Sequence, residues 1–87
     1  MKRILFVCLG NICRSPLAQG SFEKLLREKN LAREYYVESA GTSNWHEGEP
    51  PHSGSIDIAE RNGFSIDKQK SRPISLTDKN EFSLFVA

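Results

Sequence analysis

Hydrophobic positions change period abruptly within the first third of the chain. Ile4-Leu5-Phe6-Val7 is a continuous apolar run. That pattern suits a strand buried on both faces and predicts one over roughly Arg3 to Val7. After a break at Gly10-Asn11, Leu17, Phe22, Leu25 and Leu26 recur at helical spacing to about Asn30. They predict an amphipathic helix with those four on its inner face. Ser15 reads as the N-cap, and Pro16 as the first helical residue, where a missing N–H costs nothing. Glu23 with Arg27 and Lys24 with Glu28 form i,i+4 pairs on the wet side. A second strand fits Tyr35 to Ala40 and ends at Gly41. The stretch Gly41 to Ser55, rich in Gly, Pro and polar residues, reads as a long loop of the kind that carries function. A short helix follows, about Ser53 to Asn62, with Ile56 and Ala59 inward. Gly63 fits the left-handed position after its end, with Phe64 supplying an apolar contact. Ser71 to Asn80 reads as a polar connection and Glu81 to Ala87 as a third strand.

The order β-α-β-α-β predicts an α/β fold: a three-layer α-β-α arrangement around a parallel, flavodoxin-like sheet. Its ligand site lies at the C-terminal edge of the strands. Ending on a strand leaves the sheet incomplete at the C-terminus. The expectation is therefore an N-terminal part, residues 1–87, of a single domain, completed by a C-terminal fragment or a second chain.

Composition narrows the classes. Twelve basic and 11 acidic side chains nearly cancel, which leaves no broad nucleic-acid or polybasic membrane footprint. Two cysteines five apart make no disulfide framework, and this favours a reducing compartment. The apolar run after Lys2-Arg3 breaks too early for a signal peptide, and no segment is long enough to span a bilayer. A soluble, cytoplasmic protein is expected.

The junction between the first strand and helix carries the chemistry. In Cys8-Leu9-Gly10-Asn11-Ile12-Cys13-Arg14-Ser15-Pro16 a cysteine stands at the strand's C-terminal tip, with an arginine six residues on at a helix N-terminus. The loop Leu9 to Cys13 is short enough to curl its N–H groups around a tetrahedral anion, where the helix macrodipole is positive. A thiol in that field is pushed toward thiolate, which makes Cys8 a candidate nucleophile. A lone free cysteine is more often a small buried hydrophobe; the spacing of Gly10, Arg14, Ser15 and Pro16 around it favours the reactive role. Arg14 can bind two phosphoryl oxygens with its planar guanidinium. Otherwise it is a solvated arginine at a helix end that disfavours cations. Asn11 tolerates left-handed backbone and shapes the loop. Ser15 either caps the helix or supports the thiolate. Cys13 is either a packed loop residue or a redox partner able to form a reversible disulfide with Cys8. Trp45 either fills a local core or forms a wall against an aryl ring. His46 and His52 with the two cysteines lack metal-ligand spacing, so neither a metal nor a cofactor is called for.

The Cys-x5-Arg-Ser loop resembles that of the low-molecular-weight protein tyrosine phosphatases. The resemblance continues through Ser39-Ala40-Gly41-Thr42-Ser43-Asn44-Trp45, Gly48-Glu49-Pro50-Pro51, Lys70-Ser71-Arg72-Pro73-Ile74 and Phe82-Ser83-Leu84-Phe85-Val86-Ala87. It implies hydrolysis of a phosphotyrosine protein or small aryl phosphate through a phosphocysteine at Cys8. It also implies a supporting role for Ser39 beneath the loop and the Cys8–Cys13 redox pairing. The family's general acid, an aspartate in an Asp-Pro-Tyr segment, is not among these residues, so impaired turnover is expected. Gln69 stands where the family often has histidine. Two other readings compete: a thiol-dependent arsenate reductase on the same fold, which needs further cysteines, and a non-catalytic oxyanion-binding fragment.

Overall fold

A computed structural model describes all residues, Met1–Ala87. Its order is β1 (Lys2–Cys8), α1 (Arg14–Glu28), β2 (Tyr35–Gly41), α2 (Ser53–Arg61), α3 (Asp78–Glu81) and β3 (Leu84–Val86). The three strands form one parallel sheet in the order β2-β1-β3. This is the α/β class that the alternation of strand and helix patterns predicts. No helix is long and apolar enough to cross a membrane.

Register explains how the sheet is covered. Ile4 lies beside Val37 and Cys8 beside Gly41, so alternate residues of both strands share a face. On one face Phe22 of α1 packs edge-on against Phe6 at 5.9 Å and Tyr35 at 6.0 Å. On the other, Leu5, Ala40 and Phe82 are buried together against Val7. There Tyr36 stacks on Phe82, and the Arg3 guanidinium lies 4.5 Å from the Tyr36 ring centroid.

Phe22 and Leu26 of α1 face inward as expected, with Pro16 and Gly20 buried beside them, whereas Leu25 is 45% exposed. Gly20 is the point of closest approach. A Cβ there would lie 2.6 Å from Ile66 Cγ2 and 2.8 Å from the Phe64 ring, so only a bare backbone lets the segment after α2 close onto the helix. Lys24 pairs with Glu28 at 2.9 Å, but no ion pair joins Glu23 to Arg27. Gly63 has φ +84°, as its place after α2 predicts.

The start of α1 also differs. Cys13, not Ser15, occupies the N-cap and makes no side-chain cap bond, because the Ser15 hydroxyl is engaged by the loop before it. The connection after Ser71 contains α3, and β3 is shorter than expected. Asp78, only 3% exposed, holds this turn in place: it takes Arg72 Nη1 and Nη2 at 3.0 Å each and the Ser75 N–H at 2.8 Å. Arg72 also reaches Glu38, which in turn accepts the Tyr36 hydroxyl. The Arg72 guanidinium thus holds Asp78 with two parallel bonds and ties this segment to β2 through Glu38 Oε1.

Candidate active site

Residues Cys8 to Arg14 join the tip of β1 to the first turn of α1 and form a curl whose carbonyls face outward. Cys8 O accepts from Thr42 N at 2.9 Å, Leu9 O from Ser43 N at 3.0 Å, and Ile12 O from His52 N at 2.7 Å. Gly10 O accepts from Ser71 Oγ at 2.8 Å. In a trans peptide the N–H points opposite the carbonyl, so fastening the carbonyls outside turns N–H groups toward the centre. Gly41 permits the approach, since a Cβ there would meet Leu9 O at 3.0 Å and Asn11 N at 3.2 Å.

Asn11 is the keystone of the curl. It is 2% exposed and left-handed, with φ 56°, a region that Asn enters more readily than most residues. Its side-chain amide donates to Ser15 Oγ at 2.8 Å and Ser39 Oγ at 2.9 Å, and its carbonyl accepts the Arg72 N–H at 2.9 Å. Because Ser15 Oγ already accepts from Asn11, its own proton is free for Cys8 Sγ, 3.0 Å away. The Asn11 N–H also donates to that sulfur, at 3.2 Å. Burial works to raise the Cys8 thiol. It is outweighed by the Ser15 hydroxyl and then by the Ser15, Asn11 and Cys13 N–H groups, which leaves the thiol below its ordinary value.

Arg14 is the first residue of α1, exposed and free of any ion pair. It lines, with Cys8, Leu9, Ser15 and Thr42, a pocket of about 400 Å³ whose inner wall is apolar. No Asp or Glu side chain is among the residues that line that pocket. Cys13 is exposed, and its sulfur accepts the Ser55 hydroxyl at 3.3 Å. Trp45 is 72% exposed and does not line the pocket. Its neighbour His46 lies against Gly10, where a Cβ would stand 3.2 Å from the imidazole Cδ2, and pairs with Glu49 at 3.2 Å. His52 caps α2 by accepting the Gly54 N–H at 3.0 Å. Gln69 donates to Pro16 O at 3.2 Å, bracing the first turn of α1 from outside the loop.

Two contributors have no role in the sequence reading: the Ser71 hydroxyl and the Arg72 N–H. Both lie 61 residues from the groups they hold, and the only signal is the Lys70-Ser71-Arg72-Pro73-Ile74 motif. The Ser71 main chain is fixed in turn, donating to Glu49 O and accepting from Gly48 N, each at 2.8 Å.

Comparison with known proteins places this geometry. Residues 3–87 match the low molecular weight phosphotyrosine protein phosphatase family. The phosphatase YfkJ of Bacillus subtilis is 44% identical over all 87 residues, which cover 56% of that relative. Its crystal structure superposes with a TM-score of 0.94 over 98% of this chain and 54% of that one. The phosphatase PtpA of Staphylococcus aureus is 39% identical over the whole chain, which covers 54% of it. A protein tyrosine phosphatase of Entamoeba histolytica, 36% identical, superposes with a TM-score of 0.94 over 98% of this chain and 54% of its own. The chain thus spans little more than half the length of these relatives. In sequence and in backbone alike, it belongs to the low molecular weight phosphotyrosine protein phosphatase family.

Proposed function

We propose that all 87 residues belong to one phosphatase domain, and that they carry the nucleophile and phosphate cradle of a protein tyrosine phosphatase. The observation behind this reading is the Cys8 sulfur, held by Asn11 N–H at 3.2 Å and Ser15 Oγ at 3.0 Å beside an unpaired Arg14. The Cys8 thiolate attacks the phosphorus of an aryl phosphate in line with the ester oxygen. As the S–P bond forms the P–O(aryl) bond breaks, and its electron pair leaves on the phenolate. Arg14 and the loop N–H groups take the charge spread over the three remaining oxygens, which fixed donors stabilise without reorganising. Water then hydrolyses the phosphocysteine and restores the thiolate.

The supporting roles follow from the contacts. Asn11 and Ser39 shape the loop, and Ser15 donates a hydrogen bond that supports the Cys8 thiolate. Leu9, Gly10, Ile12 and Cys13 complete the cradle. Trp45, adjacent in sequence to the His46 whose ring abuts Gly10, is an exposed aromatic side chain suited to a phosphotyrosine ring. Cys13 is the proposed partner for a reversible disulfide that shields Cys8 from further oxidation.

No Asp or Glu side chain of residues 1–87 lines the pocket, so these residues alone supply no general acid to the leaving phenolate. General acid catalysis contributes about 10²–10⁴-fold, so an activated ester such as p-nitrophenyl phosphate, which needs none, is the substrate of choice for testing residues 1–87. Cys8→Ser is expected to abolish its hydrolysis while vanadate binding persists. Unchanged hydrolysis by that variant removes Cys8 from the mechanism.

A further inference from the structure

Three loop carbonyls are fastened by backbone N–H groups: Cys8 O by Thr42, Leu9 O by Ser43 and Ile12 O by His52. Leu9 O also accepts from Ser43 Oγ at 3.0 Å, but Gly10 O is different, because its donor is a side chain alone, Ser71 Oγ at 2.8 Å. That carbonyl belongs to the peptide whose other end is the Asn11 N–H, the main-chain donor to Cys8 Sγ. Orientation of this plane thus decides whether the sulfur receives an N–H or faces a carbonyl oxygen.

The plane has a reason to turn over. A flip of the Gly10–Asn11 peptide changes the Gly10 ψ and the Asn11 φ by about half a turn, and glycine offers little resistance. The Asn11 φ of 56° would turn negative, leaving the left-handed region that is strained for a residue with a Cβ. The three bonds of the Asn11 side chain hold that side chain, not the plane before it. Ser71 opposes the flip directly. It is 4% exposed and its own backbone is clamped between Gly48 and Glu49, so its hydroxyl is a fixed donor.

Resting on the phosphatase reading, we propose that Ser71 is a positioning residue: it pins the Gly10–Asn11 peptide so that the Asn11 N–H stays aimed at the Cys8 sulfur. It touches neither substrate nor sulfur and acts through that one peptide. The other charged or titratable groups facing the loop are Arg14 from α1, Cys13 from the α1 cap, and His46 behind Gly10. None of them contacts Ser71 through a hydrogen bond or ion pair, so they are common to the wild type and a Ser71 variant.

The test is the pH profile of iodoacetamide alkylation, followed at the Cys8 peptide by mass spectrometry. In wild type the Cys8 midpoint is expected below that of free N-acetylcysteine treated in parallel. In Ser71→Ala it is expected to move up. One neutral hydrogen bond, offset by the higher nucleophilicity of a more basic thiolate, slows the acid limb roughly two- to fourfold. A wild-type Cys8 midpoint that is not depressed overturns the phosphatase reading itself. A depressed wild-type midpoint that Ser71→Ala leaves in place overturns the role of Ser71 alone. A second measurement needs no variant: in 15N-labelled protein the Asn11 amide resonance is expected to follow the Cys8 titration, and an indifferent amide overturns the proposal.

Discussion

Replacing Asn11 separates two things that this residue does at once. Asn11→Ala strips partners from Ser15 Oγ, Ser39 Oγ and the Arg72 N–H, in a place that is 2% exposed. Each lost bond costs about 0.5–1.5 kcal/mol. Holding alanine at φ 56° adds about 1 kcal/mol, for a total of roughly 2.5–5.5 kcal/mol. A domain of this size has only about 4–13 kcal/mol of stability, so the variant is expected to lose a large share of it. Asn11→Gly loses the same bonds but adopts the left-handed backbone freely. In a right-handed helix glycine is less stable than alanine by about 1 kcal/mol. Here the order should reverse, with glycine ahead by about 1 kcal/mol. Urea unfolding followed by far-ultraviolet circular dichroism measures this; Trp45 is too exposed to report on the core. An alanine variant as stable as the glycine variant, or more so, refutes the left-handed keystone.

Three other substitutions probe separate contacts. Gly20→Ala gains helix propensity, about 1 kcal/mol, but forces a Cβ to 2.6 Å from Ile66; overpacking of about 1–3 kcal/mol should dominate and lower the urea midpoint. Gly41→Ala places a Cβ 3.0 Å from Leu9 O and is expected to weaken vanadate binding at least tenfold, an estimate of about 1.4 kcal/mol or more, as read by calorimetry. Asp78→Asn removes the carboxylate that Arg72 holds below its usual range, at an expected loss of about 1.5–3 kcal/mol at neutral pH. Because that pKa is depressed on folding, the stabilisation is present above the ordinary carboxylate range and fades as pH falls through the folded value. The wild-type advantage in urea midpoint should therefore shrink in acid, and a constant advantage contradicts the Arg72 pairing.

The parts of this site that are contiguous in sequence are legible without coordinates. An apolar run, then Cys8, Gly10, Arg14 and Pro16, then a helical period leaves few ways to arrange the backbone. Contacts that cross the chain are not legible in this way. Nothing near Ser71 in sequence announces that its hydroxyl meets Gly10, because that meeting depends on how Gly48 and Glu49 fold beside it. Ser15 illustrates a local rule overridden. Its chemistry suits an N-cap, yet its hydroxyl is drawn to Asn11 and Cys8, so the helix begins without a side-chain cap. The turn at Asp78 is similar: a stretch with weak propensity is ordered by one buried carboxylate gripping Arg72. Gly20, a poor helix former, is likewise what the neighbouring segment needs, because a Cβ there would stand 2.6 Å from Ile66 Cγ2.

Covalent capture of phosphate at Cys8 tests the central claim most directly. Folded protein is mixed with p-nitrophenyl phosphate, quenched rapidly in acid and digested, and the peptide bearing residue 8 is weighed. The geometry calls for one phosphate on that peptide, lost in Cys8→Ser. A folded sample that releases p-nitrophenol with no phosphate on Cys8, or that carries it on another residue, contradicts the nucleophile assigned here.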